Sequence, residues 1–177
     1  PNMALFRTKL TEMCGIKHPI IQGGMHYVGY AEMVMTIFLF LFQNLCLNHI
    51  SHTPCSFFPL LLPKQAAAVS NAGGLGIITA LTVAQPPRGA EALRDEIRKC
   101  QALTSKPFGV NITLLPVGVP PDYEGIVKVI IEEGVRFVET AGRVPPPELL
   151  NPMKEAGIKI IHKCVAIRHA LSAHKRG

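Results

Sequence analysis

Short apolar runs alternate with amphipathic stretches along most of this chain of 177 residues. The runs "HPIIQGG", "GLGIITAL", "PFGVNITLL", "VRFVETAG" and "GIKIIHKC" each have the length of a strand and close on glycine or small polar residues. They predict strands near 19–22, 75–80, 108–113, 136–140 and 158–163. The stretches between them predict helices over 90–103, 123–134, 146–157 and 166–177. In the first of these Leu93, Ile97 and Leu103 share roughly one face, with the charges opposite. The second groups Ile126, Val129 and Ile130 and stops at Gly134. The third opens on prolines and stops at Gly157. Strands alternating with helices at this spacing predict parallel βα units. A (β/α)8 barrel and a doubly wound sheet are the two candidates. A barrel takes about 250 residues, so about five βα units in one domain over 1–177 make an incomplete barrel.

One segment breaks the pattern. From Met33 to Pro63 there is no Asp, Glu, Lys or Arg, and five of the eight phenylalanines fall there. The apolar run from Val34 to Leu47 is interrupted by Gln43 and Asn44 and is shorter than the ~20 residues that span a bilayer. No basic cluster flanks it. Removing Val34–Gln65 leaves "YAEMAAAVSNAGGLG", a continuous helix with a glycine stop. Every valine codon begins GT and one glutamine codon is CAG, so the insert has the ends of a translated spliceosomal intron. A genuine lid loop and a membrane anchor are the alternatives. The insert is expected to pack poorly.

Composition narrows the function. The net charge is +6, its basic residues scattered until a cluster at Lys175 and Arg176 that has no interleaved aromatics, so an anionic small ligand is a better use of it than nucleic acid. The five cysteines are widely spaced and none forms a CxxC pair, which predicts reduced thiols and no metal site. The residues before and after Met3 lack the apolar core of a signal peptide, so a cytoplasmic or organellar location is expected, away from membranes.

The candidate chemistry sits at the strand ends: Gln22-Gly23-Gly24-Met25-His26, Thr79 and Thr82, Asn111 and Thr113, Glu139-Thr140, and His162-Lys163-Cys164. Each residue has an ordinary reading as a turn or surface residue. "NAGGLG" is a helix stop and does not match GxGxxG. Lys163 is harder to dismiss, because a lysine at the mouth of a buried strand needs a partner. Glu139, at the neighbouring strand end, is the expected carboxylate.

"HPIIQGGMHYVGYAEM", "AAAVSNAGGLGIITALT", "LTSKPFGVNITLLP", "VRFVETAG" and "IKIIHKCVAIRHAL" together resemble the nitronate monooxygenases, formerly called 2-nitropropane dioxygenases, from about Leu5 onward except for the insert. The resemblance implies a TIM barrel with FMN as cofactor. It implies a reaction in which an alkyl nitronate and O2 give a carbonyl compound and nitrite. It points to Gly24, Met25, His26, Asn111, Thr113 and Lys163 as flavin contacts. It also allows an NADH:quinone reductase on the same scaffold. Two features depart from the family. Its catalytic histidine belongs to a "GxECxGHxG"-like motif that this sequence does not contain, so no catalytic residue is assigned, and His162, His169 and His174 do not substitute. Its phosphate-holding "GG" and "GT" strand ends are not found either. The chain alone is therefore expected to bind FMN weakly and not to turn over, and a non-catalytic splice product is a further reading.

Overall fold

The computed structural model describes residues 7–24, 64–114 and 121–176. Their core is a four-stranded parallel sheet of β1 (Gly76–Thr79), β2 (Phe108–Leu114), β3 (Phe137–Gly142) and β4 (Lys159–His162), adjacent in chain order. The register places Thr79, Asn111, Glu139 and Ile161 in one row. The expected first strand is reduced to a parallel bridge, Ile21 to Leu75, flanked by Gln22 N–H donating to the Leu75 carbonyl and Leu75 N–H to that of Ile20. Upstream, the His18 N–H goes to the Gly73 carbonyl and Pro19 has no N–H to give, so pairing starts no earlier than Ile20. The order and direction are those of an incomplete (β/α)8-type barrel.

The helices are α1 (Lys9–Cys14), α2 (Lys64–Asn71), α3 (Ala80–Val83), α4 (Ala90–Leu103), α5 (Tyr123–Glu132), α6 (Pro147–Glu155) and α7 (Ile167–Lys175). The last four match the sequence expectation to within two residues at either end. Neither α1 nor α3 was expected. The insert, apart from Lys64 and Gln65, lies outside the described residues, as do Met25, His26 and the start of the expected first helix. Lys64 and Gln65 begin α2. Among the described residues no helix is long and apolar enough to cross a membrane.

Alternation along the strands divides the side chains between two faces. Ile78, Val110, Ile112 and Val138 pack under Leu93, Ile97 and Cys100 of α4, Ile126 and Ile130 of α5, and Met153 of α6. The opposite face is apolar at its N-terminal end, where Leu75, Ile77 and Phe137 meet Cys14 and Ile16 at the end of α1. One turn further along the strands it becomes polar, with Thr79, Asn111 and Glu139 all buried. The α1 segment thus closes one end of this face, and only the C-terminal strand ends offer polar chemistry. Cys14, Cys100 and Cys164 are free thiols, and burial pushes the Cys100 thiol up to about 12.

Helix α2 rests on β1 with little between them. Ala66 and Ala67 are buried, the Gly76 N–H donates to the Ser70 hydroxyl at 3.1 Å, and a Cβ on Gly76 would overlap the Ala66 backbone.

On the outer surface an ion network ties α4 to α5. Arg94 reaches Glu91, Glu132 and Glu133 at 2.9, 2.6 and 2.9 Å, and Arg98 reaches Glu133 at 2.8 Å. Hydrogen bonds from Arg98, then from Arg94, hold the Glu133 carboxyl below its ordinary value of 4.5. A depressed carboxyl contributes stability above the unfolded-state value, and that contribution is lost as pH falls through the folded one. Arg98→Met is therefore expected to lower the melting temperature at neutral pH, with the difference from the parent shrinking below about pH 4.5. Melting curves of the two proteins at stepped pH check this. A constant difference down to strongly acid pH would refute it.

Candidate functional site

The C-terminal strand ends converge on one carboxylate. Glu139 leaves β3 on the polar face and is 2 % exposed. Its Oε1 accepts from the Lys163 ammonium at 2.8 Å. Its Oε2 accepts from the Gly24 backbone N–H at 2.8 Å and from Asn111 Nδ2 at 3.3 Å. The expected pair of Lys163 and Glu139 is therefore formed. It forms because Ile161 lies opposite Glu139 in the register, which puts Lys163, two residues on, at the same face.

Each partner is fixed in turn. Asn111 is fully buried, and its Oδ1 accepts from the Thr113 hydroxyl at 3.0 Å, which orients the amide. The Thr113 carbonyl accepts from the Tyr123 hydroxyl of α5 at 3.1 Å. The Lys163 N–H donates to the Thr140 carbonyl at 2.8 Å, continuing the ladder past β4. The Lys163 side chain remains 44 % exposed, and its ammonium has two more protons to offer.

Glycine is required in the first loop. A Cβ on Gly24 would overlap the Asn111 side chain, so only glycine lets this backbone come down onto Glu139. At Gly23 the position of a Cβ is 4.0 Å from the Lys163 ammonium nitrogen. Of the six contacts implied by the family resemblance, the structure thus brings Gly24, Asn111, Thr113 and Lys163 together, while Met25 and His26 lie outside the described residues. His162 points to the other face, where its Nδ1 shares a hydrogen bond of 2.8 Å with the Thr140 hydroxyl. Burial, and then His169, holds its pKa below the ordinary 6.5. His169 and His174 lie on α7, in which no residue is buried.

The sequence named Glu139 only as a partner of the lysine. Its grip on Gly24, 115 residues away, left one trace: a lone carboxylate inside the buried run "VRFVETAG", where an unpaired charge is costly. Among the described residues no cluster of His, Cys, Asp or Glu is suited to a metal. A cation with spare protons, an oriented amide and a close-approaching glycine backbone fit the polar edge of a flat heterocycle such as a flavin ring.

Residues 60–122 match the family model described as nitronate monooxygenase. A relative from Mycobacterium tuberculosis, named (3aS,4S,5R,7aS)-5-hydroxy-7a-methyl-1-oxo-octahydro-1H-indene-4-carboxyl-CoA dehydrogenase, is 33% identical over 164 residues, which is 93% of this chain and 34% of that protein. A probable nitronate monooxygenase from Staphylococcus aureus is 25% identical over 202 residues, covering 97% of this chain and 46% of that one. Among solved structures, FabK from Thermotoga maritima superposes with a TM-score of 0.68 at 31% identity, covering 97% of this chain and 42% of its own. Nitroalkane oxidase from Streptomyces ansochromogenes shares the fold with a TM-score of 0.66 at 21% identity, covering 95% and 46%. The chain spans between a third and a half of the length of these proteins. The activities named among them, dehydrogenase, monooxygenase and oxidase, are all oxidoreductase activities. Residues 60–122 thus carry the pattern of the nitronate monooxygenase family model, and the parallel strand order of the sheet is that of an incomplete barrel of the kind these neighbours share.

Proposed function

We propose that the strand-end cluster around Glu139 is the ring side of an FMN site, in an oxidoreductase that takes alkyl nitronates and O2 to carbonyl compounds and nitrite. The observation that carries the reading is the convergence of Lys163, Asn111 and the Gly24 backbone on a single buried carboxylate at the C-terminal strand ends. In parallel α/β folds these ends are where ligands bind.

Each residue has a stated part. With its two spare protons, Lys163 would hold the polar edge of the ring. Asn111, fully buried and held by Thr113, steadies Glu139 beneath the lysine. Gly23 and Gly24, without Cβ atoms, would let the ring lie close to the backbone, and the family resemblance adds Met25 and His26, the next two residues in sequence, as further contacts. The apolar plug of Cys14, Ile16 and Phe137 blocks the opposite end of the face, so the ligand is confined to the polar rim. Bound FMN supplies the electron acceptor for the substrate and the route of those electrons to O2. No residue of this chain is assigned a catalytic role.

A second reading keeps the site and changes the substrate. The relatives at 33% and 31% identity carry the names of a CoA-ester dehydrogenase and FabK, whereas the Staphylococcus aureus nitronate monooxygenase stands at 25%. That difference favours an oxidoreductase that does not act on nitronates, and the NADH:quinone reductase that the family resemblance allows is the form of it that can be assayed. One experiment separates them. The chain is joined to the portion of the Staphylococcus aureus relative that it does not match, reconstituted with FMN, and assayed for nitrite release from propyl-2-nitronate and for NADH oxidation. Nitrite without NADH consumption supports the first reading, NADH oxidation without nitrite supports the second, and a colourless protein with neither activity refutes both.

A further inference from the structure

We infer that Glu139 is the positioning residue of this site: its one carboxylate sets the glycine loop, the Asn111 amide and the Lys163 ammonium in a single geometry. The inference rests on the flavin reading only for what the geometry serves. Three donors from three separate parts of the chain meet two oxygens, the lysine on Oε1 and the Gly24 N–H with the Asn111 amide on Oε2. Asn111 belongs to β2 and Lys163 follows β4, and both lie beside Glu139 on β3. The glycine loop enters from the far side of the sheet, where, among the described residues, its strand is bridged to Leu75. Beyond the backbone bonds at Ile20 and Gln22, the hydrogen bond from the Gly24 N–H ties this loop to Glu139 on β3.

The chemistry makes a sharp demand. All three partners donate, so both oxygens of residue 139 must accept. A glutamine has the same shape but one acceptor and one NH2 group. Whichever way its amide turns, an N–H faces either the lysine or the Gly24 and Asn111 donors. Glutamine therefore cannot substitute, although it fills the same volume. A residue that merely filled space would be replaced by glutamine without effect.

The test measures amide hydrogen exchange at Gly24 by NMR in the 177-residue chain and in its Glu139→Gln and Glu139→Ala variants, with circular dichroism to confirm folding. Exchange at Gly24 is expected to rise at least tenfold in both variants, while amides of the α4–α5 interface stay protected. A Gln variant that exchanges like the parent overturns the inference. If either variant fails to fold, Glu139→Asp, which keeps both acceptors but is one methylene shorter, is measured instead, with the same rise expected and parent-like exchange again overturning it. A second readout follows the absorption spectrum of bound FMN in the chain joined to its relative. Glu139→Gln is expected to shift the band and weaken binding. Raised Gly24 exchange with no FMN bound by any form leaves the positioning role intact and refutes the flavin reading. Raised exchange with an unchanged band and affinity reduces Glu139 to a structural contact and refutes its positioning role.

Discussion

Lys163→Met lowers the folding free energy by about 2–3 kcal/mol, at or below the lower end of the ~3–5 kcal/mol for breaking a fully buried ion pair because the lysine is half exposed. The cost comes from the partner left behind. Glu139 stays 2 % exposed and loses the one cation paired with it among the described residues, while the Gly24 and Asn111 donors cannot neutralise a full charge. The double variant Lys163→Met with Glu139→Gln should regain more than half of the loss. With the lysine gone, the glutamine oxygen accepts from Gly24 and Asn111 and its NH2 group points to the vacated side. Urea unfolding of the parent, the two single variants and the double variant measures the coupling. Strict additivity of the single effects would show that the pair carries no interaction of its own.

Gly76→Ala is expected to cost at least as much, on the order of 3 kcal/mol or more, as overpacking against a rigid element does. The added methyl would run into the Ala66 backbone, and backbone cannot rotate aside as a side chain can. Relief requires α2 to lift from β1, which breaks the bond from Gly76 N–H to the Ser70 hydroxyl and uncovers Ala66 and Ala67. Because β1 anchors the pairing of the first segment through Leu75, the same change should loosen Gly23 and Gly24. Thermal melting reads the first effect and amide exchange at Gly24 the second. A fully stable alanine variant would show that α2 packs less closely than described.

The strands were legible in the sequence because burial on both faces leaves near-continuous apolar runs, as in "GIIT", where all four residues are buried. The first strand was read too long. Apolar content alone does not reveal that Pro19 and the turn at His18 limit its pairing. Helix α1 was missed because six residues carry little periodicity and its start signal is a Thr8–Thr11 capping box without an acidic member. Helix α3 was missed because "TALTV" reads as a continuing strand, whereas the chain turns at Ala80. In the site, the pairing of Lys163 with Glu139 was legible since both fall at the C-terminal ends of neighbouring strands. The Gly24 contact was not, because no local pattern encodes where a glycine loop lands once the sheet has twisted.

The central claim is that Lys163 and its neighbours form the ring side of a flavin site. It is tested most directly by titrating FMN, followed by fluorescence quenching, into the chain joined to the unmatched portion of its Staphylococcus aureus relative, with and without Lys163→Met, at a temperature where circular dichroism shows both folded. The account predicts stoichiometric binding by the parent and at least tenfold weaker binding by the variant, with weak binding by the 177-residue chain alone. Equal affinity with and without the lysine, or no binding by the joined protein, would contradict it.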